Sequence, residues 1–154
     1  MSANIHASCV AIGGKGVLIL GASGSGKSDL ALRLIDEGAS LIADDRCEIF
    51  LKGKNLCARP PASIAGLLEM RGIGIIALPF RSTTRLAMAV RLAPPQQKRP
   101  RQRLPRPAFW RVLQGTGKLP LIVVNGFEAS ATARIRAALT AFSTNSFRDT
   151  FNPS

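Results

Sequence analysis

Between Gly16 and Gly38 a short apolar strand, a glycine-rich turn and a helical pattern follow one another, and few architectures accommodate that succession. The turn, Gly21-Ala22-Ser23-Gly24-Ser25-Gly26-Lys27-Ser28, fits G-x-x-x-x-G-K-[ST]. In such a loop the glycines let backbone N–H groups turn inward around a polyphosphate. Lys27 is placed to reach the β- and γ-phosphates, and the Ser28 hydroxyl to ligate Mg²⁺. Gly16–Leu20 before the loop reads as a buried strand. Ser28–Glu37 after it reads as a helix closed by Gly38, whose N-terminal dipole adds to the anion site. All eight residues from Gly21 to Ser28 are therefore candidate nucleotide ligands.

A chain of 154 residues, 46% of them hydrophobic, suits a single domain around one core. The expected boundaries are a domain over 1–142 and a flexible tail over 143–154. No apolar run is long enough for a transmembrane helix, and Met1–His6 lacks the basic and apolar regions of a signal peptide. Cys9, Cys47 and Cys57 form no metal-type pair and suit reduced thiols, so a cytoplasmic setting is expected. The net charge is +12, and no Asp or Glu occurs between Glu69 and Glu128. Such a basic stretch points to an anionic partner: nucleotide phosphates, an acidic protein surface or nucleic acid.

The segment Ile5–Ile12 reads as a strand, and Gly13-Gly14-Lys15-Gly16 as a tight turn, giving a β-hairpin that leads into the phosphate loop. Further strands are expected at 39–43, 47–51, 86–92 and 119–124. A loop with a short helix is expected from Pro60 to Leu68, and a helix over 130–142. Residues 94–107, rich in proline and basic side chains, read as an exposed loop.

Phosphoryl transfer needs metal ligands, charge neutralisation and a group that aligns the nucleophile. Asp44 and Asp45 end a strand near the phosphate loop; one can approach Mg²⁺ while the other accepts a hydroxyl proton. Adjacent carboxylates raise each other's pKa, which favours a base near neutral pH. Glu69, in Leu68-Glu69-Met70-Arg71-Gly72-Ile73-Gly74-Ile75, is either a metal ligand or the partner of Arg71. His6, the only histidine, lies on the strand that feeds the loop.

These residues together carry a resemblance. Ile5-His6-Ala7, the loop Gly21–Ser28, Ala43-Asp44-Asp45-Arg46 and above all Leu68–Ile75 resemble the C-terminal catalytic domain of HPr kinase/phosphorylase, in a short form without the N-terminal domain. The Leu68–Ile75 stretch is similar to the family pattern LExRGxGI, which is far more specific than a phosphate loop. The resemblance is clear over about residues 4–80. It implies an α/β fold, the P-loop kinase domain of the phosphoenolpyruvate carboxykinase-like type, with a β-hairpin before the loop. It implies an ATP- and Mg²⁺-dependent kinase that phosphorylates a serine of HPr, the phosphocarrier of the bacterial sugar phosphotransferase system. The family also removes that phosphate with inorganic phosphate, releasing pyrophosphate, and its longer members form hexamers. By position, the resemblance makes His6 an active-site residue, Lys27 a phosphate ligand, and Ser28 and Glu69 Mg²⁺ ligands. It places the proton acceptor at Asp45, with Asp44 beside it, puts Arg71 in the element that shapes the active site, and makes Arg103, in Arg103-Leu104-Pro105, similar to a family Arg-Leu pair with a catalytic role.

Two other readings compete with this one. One is a different P-loop phosphotransferase or ATPase acting on a small molecule, for which no lid or nucleoside-binding pattern is found. The other is a nucleic-acid-binding module over 91–111, with Phe109 and Trp110 stacking on bases.

Overall fold

The computed structural model describes residues 1–94 and 105–147. Its strands are β1 (Ser2–His6), β2 (Ser8–Ile12), β3 (Lys15–Leu20), β4 (Ser40–Ala43), β5 (Arg46–Lys52), β6 (Asn55–Arg59), β7 (Leu67–Met70), β8 (Gly74–Ala77), β9 (Thr84–Leu92), β10 (Ala108–Val112) and β11 (Gly117–Val124). The helices are α1 (Lys27–Asp36) and α2 (Ala131–Thr144). Nine strands form one sheet of order β1-β5-β6-β9-β3-β2-β4, with β11 also on β9 and β10 on β11. β7 and β8 form a separate hairpin. Among the described residues no helix is long and apolar enough to cross a membrane.

The alternation of side chains along each strand divides the core between the two faces of the sheet. Val17 and Ile19 of β3 join Val10, Met88 and Val90 beneath the helices, which contribute Leu30, Leu34, Ile135 and Leu139. Leu18 and Leu20 of the same strand point the other way, toward Cys47, Ile49, Ala58 and Leu121. Strand β3 is thus covered on both sides, which is why Val17–Leu20 reads as an unbroken apolar run. In α1 the buried Leu30, Ala31 and Leu34 share one face, the spacing expected of a helix packed on a sheet.

The β-hairpin before the phosphate loop is present as the antiparallel pair β2–β3, with Val10 opposite Val17. The expected strand over Ile5–Ile12 is two strands. β1 pairs with β5 and β2 with β3 and β4, and the chain turns between them at the buried Ala7. The Ala7 N–H donates to the Asp45 carbonyl, so this break brings His6 beside the acidic pair. The expected short helix after Pro60 is a single 3₁₀ turn over Ala62–Ile64, followed by strand β7. β6 and β10 were not anticipated. Helix α2 extends past position 142 to Thr144, where Asn145 ends it in the left-handed conformation. The Lys15 ammonium donates to Ser143 Oγ at 2.7 Å, tying this end to the hairpin. Residues 95–104 and 148–154 of the expected basic loop and tail lie outside the described residues.

Candidate active site

The phosphate loop links the end of β3 to α1. Gly24 and Gly26 take positive φ angles of 81° and 97°, which a side chain would strain, and Gly26 caps α1 without a side-chain hydrogen bond. The first backbone N–H groups of the helix therefore stay available to an anion. The Lys27 ammonium donates to the carbonyls of Gly21 at 2.7 Å and Ala22 at 3.1 Å. Burial lowers its pKa from 10.5, and the charges of Asp45 and Asp44 pull in the opposite direction. An incoming phosphate would supply the negative charge that this buried cation lacks.

Asp44 and Asp45 are neighbours in sequence with opposite roles in the fold. Asp44 is 5% exposed. Its Oδ1 accepts from Ser8 Oγ at 2.7 Å and from Ser28 Oγ at 2.8 Å, and its Oδ2 from the Glu69 N–H at 3.2 Å. One carboxylate therefore ties β2, the phosphate loop and β7 together. Asp45 points outward, with its side chain 66% exposed and Oδ1 3.2 Å from His6 Nε2. Its φ of 70° is unusual for a residue with a side chain, and such backbone strain clusters at functional sites.

The replacement Asp44→Ala strands the wholly buried Ser8 hydroxyl and removes the anchor of Ser28. A buried donor left unpaired costs about 1–3 kcal/mol, so this variant is expected to lose at least about 2 kcal/mol in chemical denaturation. Asp45→Asn, at an exposed position whose φ of 70° asparagine tolerates, serves as the matched control and is expected to keep its stability.

A cleft of about 440 Å³ opens in front of the loop. Ser23, Gly24, Gly26, Lys27 and Ser28 line it on one side, and His6, Asp45, Glu69 and Arg71 on the other. Ile73, 73% exposed at the tip of the β7–β8 hairpin, reaches its mouth. The Glu69 carboxylate makes no ion pair among the described residues, so the pairing with Arg71 considered from sequence is absent there and the side chain is open to a metal. The Ser28 hydroxyl and Glu69 carboxylate are hard oxygen donors and few in number. Mg²⁺ is commonly held by such a set, with phosphate oxygens and water completing its shell.

Of the expected site residues, Gly21, Ala22, Ser25 and Asp44 do not line the cleft. Arg103 lies outside the described residues. The base-stacking pair of the nucleic-acid reading is already engaged. Trp110 packs against the core and pairs with Leu119, and the Lys118 ammonium sits 4.7 Å over the Phe109 ring. Two residues had gone unnoticed: Ser8, buried behind the cleft, whose hydroxyl orients Asp44, and Phe127, which lines the cleft beside the loop. A serine on a strand and a phenylalanine in a polar turn leave no periodic signal.

Comparison with known proteins bears on the family and the fold. Over 74 residues the chain is 50% identical to a protein of Lactobacillus acidophilus named HPr kinase/phosphorylase, a match covering 47% of this chain and 23% of that protein. A protein of the same name from Streptococcus thermophilus is 47% identical over 74 residues, 24% of its length. The chain thus matches only about a quarter of the length of these relatives. The solved structure of the Hpr(Ser) kinase/phosphatase from Coxiella burnetii shares the fold, with a TM-score of 0.79 at 23% identity, covering 93% of this chain and 97% of that one. The profile of the family described as "HPr Serine kinase C-terminal domain" matches residues 1–125, and with that match the chain belongs to the HPr serine kinase C-terminal domain family.

Proposed function

We propose that this protein is an ATP-dependent kinase that transfers the γ-phosphoryl group to a serine of an HPr-type phosphocarrier in the cytoplasm. The observation that carries the reading is the division of labour between Asp44 and Asp45. The buried Asp44 holds Ser28 in place at the phosphate loop, and the exposed Asp45 faces the cleft beside His6. A protein hydroxyl can reach only the second of them.

Ser28 and Glu69 would hold Mg²⁺, which would supply charge neutralisation for the transferred phosphoryl group. Lys27 and the N-terminal N–H groups of α1 hold the phosphate oxygens. Asp45 Oδ takes the proton of the substrate serine as its oxygen bonds to the γ-phosphorus. The bond from that phosphorus to the bridging oxygen breaks, and ADP leaves. His6, 3.2 Å from Asp45, keeps the carboxylate turned toward the cleft. In the reverse sense, inorganic phosphate attacks phosphoserine and pyrophosphate is released, with the Asp45 carboxylic acid returning the proton.

Incubation with HPr, ATP and Mg²⁺, followed by mapping of phosphoserine, tests the kinase. Incubation of phosphoserine-HPr with inorganic phosphate and detection of pyrophosphate tests the reverse reaction. A small-molecule phosphotransferase would leave HPr unmodified in both.

Docking of the protein substrate is assigned to the basic segment between Pro94 and Pro107. Charge reversal by Arg99→Glu with Arg101→Glu is expected to lower kcat/KM for HPr at low salt and to leave ATP binding unchanged. Rim charges act mainly on association rate and salt dependence, so the difference from the parent should narrow at high salt. Equal kcat/KM at low salt would remove this segment from docking.

A further inference from the structure

Phe127 takes no part in the chemistry above, yet the fold holds it firmly in the cleft. The residue is 56% exposed, one of seven exposed large apolar residues among the described residues. A Cβ placed on Gly26 would lie 3.2 Å from Cε1 and Cζ of the Phe127 ring, so the ring edge stands directly against the phosphate loop. The turn that carries it is fixed from two sides. The Phe127 N–H donates to Asn125 Oδ1 at 3.0 Å. The Arg33 guanidinium, paired with Asp29 at 3.2 Å on α1, donates to the carbonyls of Gly126 and Glu128.

The order of strands gives this position a direction. β3, β9 and β11 are parallel, so the phosphate loop after β3 and the Phe127 turn after β11 emerge at the same edge of the sheet. Ligands of open α/β sheets bind outside the carboxyl ends of such strands. β3 lies between β9 and β11 on one side and β2 and β4 on the other. Asp44 and Asp45 follow β4, and Phe127 follows β11. A nucleotide whose terminal phosphate faces Asp45 and Glu69 therefore extends its opposite end toward Phe127. That end is a flat aromatic base, and an exposed phenyl ring is the complementary surface.

We propose that Phe127 is the stacking platform for the nucleobase of the bound nucleotide. The proposal rests on the reading of the cleft as a nucleotide site and adds the residue that recognises the base.

Tripolyphosphate, which has the phosphates of ATP and no base, separates the two ideas. Binding of ATP and of tripolyphosphate, each with Mg²⁺, is measured by titration calorimetry on the full chain and on Phe127→Ala and Phe127→Trp. In Phe127→Ala, affinity for ATP is expected to fall by about tenfold, within the range of base–aromatic stacking, while affinity for tripolyphosphate stays at the parent value. Phe127→Trp is expected to retain ATP binding. An unchanged ATP affinity in Phe127→Ala overturns the proposal, and a raised KM for HPr alongside it would place the ring at the protein substrate instead. An equal loss for ATP and tripolyphosphate also overturns it, since the ring would then act only through the phosphate loop. A parent protein that binds neither ligand overturns the nucleotide reading itself.

Discussion

Asp45→Asn is expected to lower the rate of serine phosphorylation by about 10²–10⁴-fold, the usual contribution of a positioned general base. The substitution is chosen for its backbone. Asp45 sits at φ 70°, and asparagine tolerates that left-handed conformation as well as aspartate does. Shape and fold are kept while the proton acceptor is lost. The side chain is largely exposed and pairs only with His6 among the described residues, so thermal unfolding of the variant should match the parent. ATP affinity should also be preserved, because the phosphates are held by Lys27 and the helix N-terminus. The decisive measurement is kcat set beside the nucleotide Kd. A collapse of nucleotide affinity with kcat intact would make Asp45 a metal ligand and remove it as the base.

Lys27→Met is expected to cost at least about 10²-fold in kcat, comparable with loss of one preorganised donor from a site where charge develops. Its effect on the empty protein should be small. The ammonium is buried against two carbonyls, and that burial already disfavours its charged form. The sign of the pH dependence follows. The folded-state pKa lies below the unfolded value of 10.5, so between the two the unfolded chain binds more protons. Stability of the parent therefore gains a contribution as pH rises through that window. The Met variant lacks it. Denaturation of both proteins from neutral pH to pH 10.5 should show the parent gaining on the variant. A large loss of stability in the variant at neutral pH would mark Lys27 as structural.

The phosphate loop, the hairpin ahead of it and both helices were legible in the sequence because their signals are local. Glycine spacing, a tight turn and helical periodicity depend on near neighbours alone. The same locality explains the errors. Ile5–Ile12 has the composition of one strand, and the break at Ala7 exists because β1 and β2 find different partners, β5 on one side and β3 with β4 on the other. β10 takes its place as a strand from pairing with β11, with Phe109 opposite Pro120 and Trp110 opposite Leu119.

The site divides along the same line. Sequence alone determined which chemical groups are present: a phosphate loop, two adjacent acids, a glutamate in a glycine-rich pattern and one histidine. Apart from the resemblance that points to Asp45, it could not distinguish Asp44 from Asp45, because adjacent residues of one type share almost all of their local context. Only the tertiary structure separates them. The chain bends between β4 and β5 at these two residues, with Asp45 in the left-handed conformation, so one carboxylate turns inward to the hydroxyls of Ser8 and Ser28 and the N–H of Glu69, and the other turns outward to His6. Phe127 is the same case at longer range. Its position against Gly26 follows from the parallel alignment of β11 beside β9 and from the grip of Arg33 on the following turn, contacts between segments far apart in the chain that no local pattern encodes.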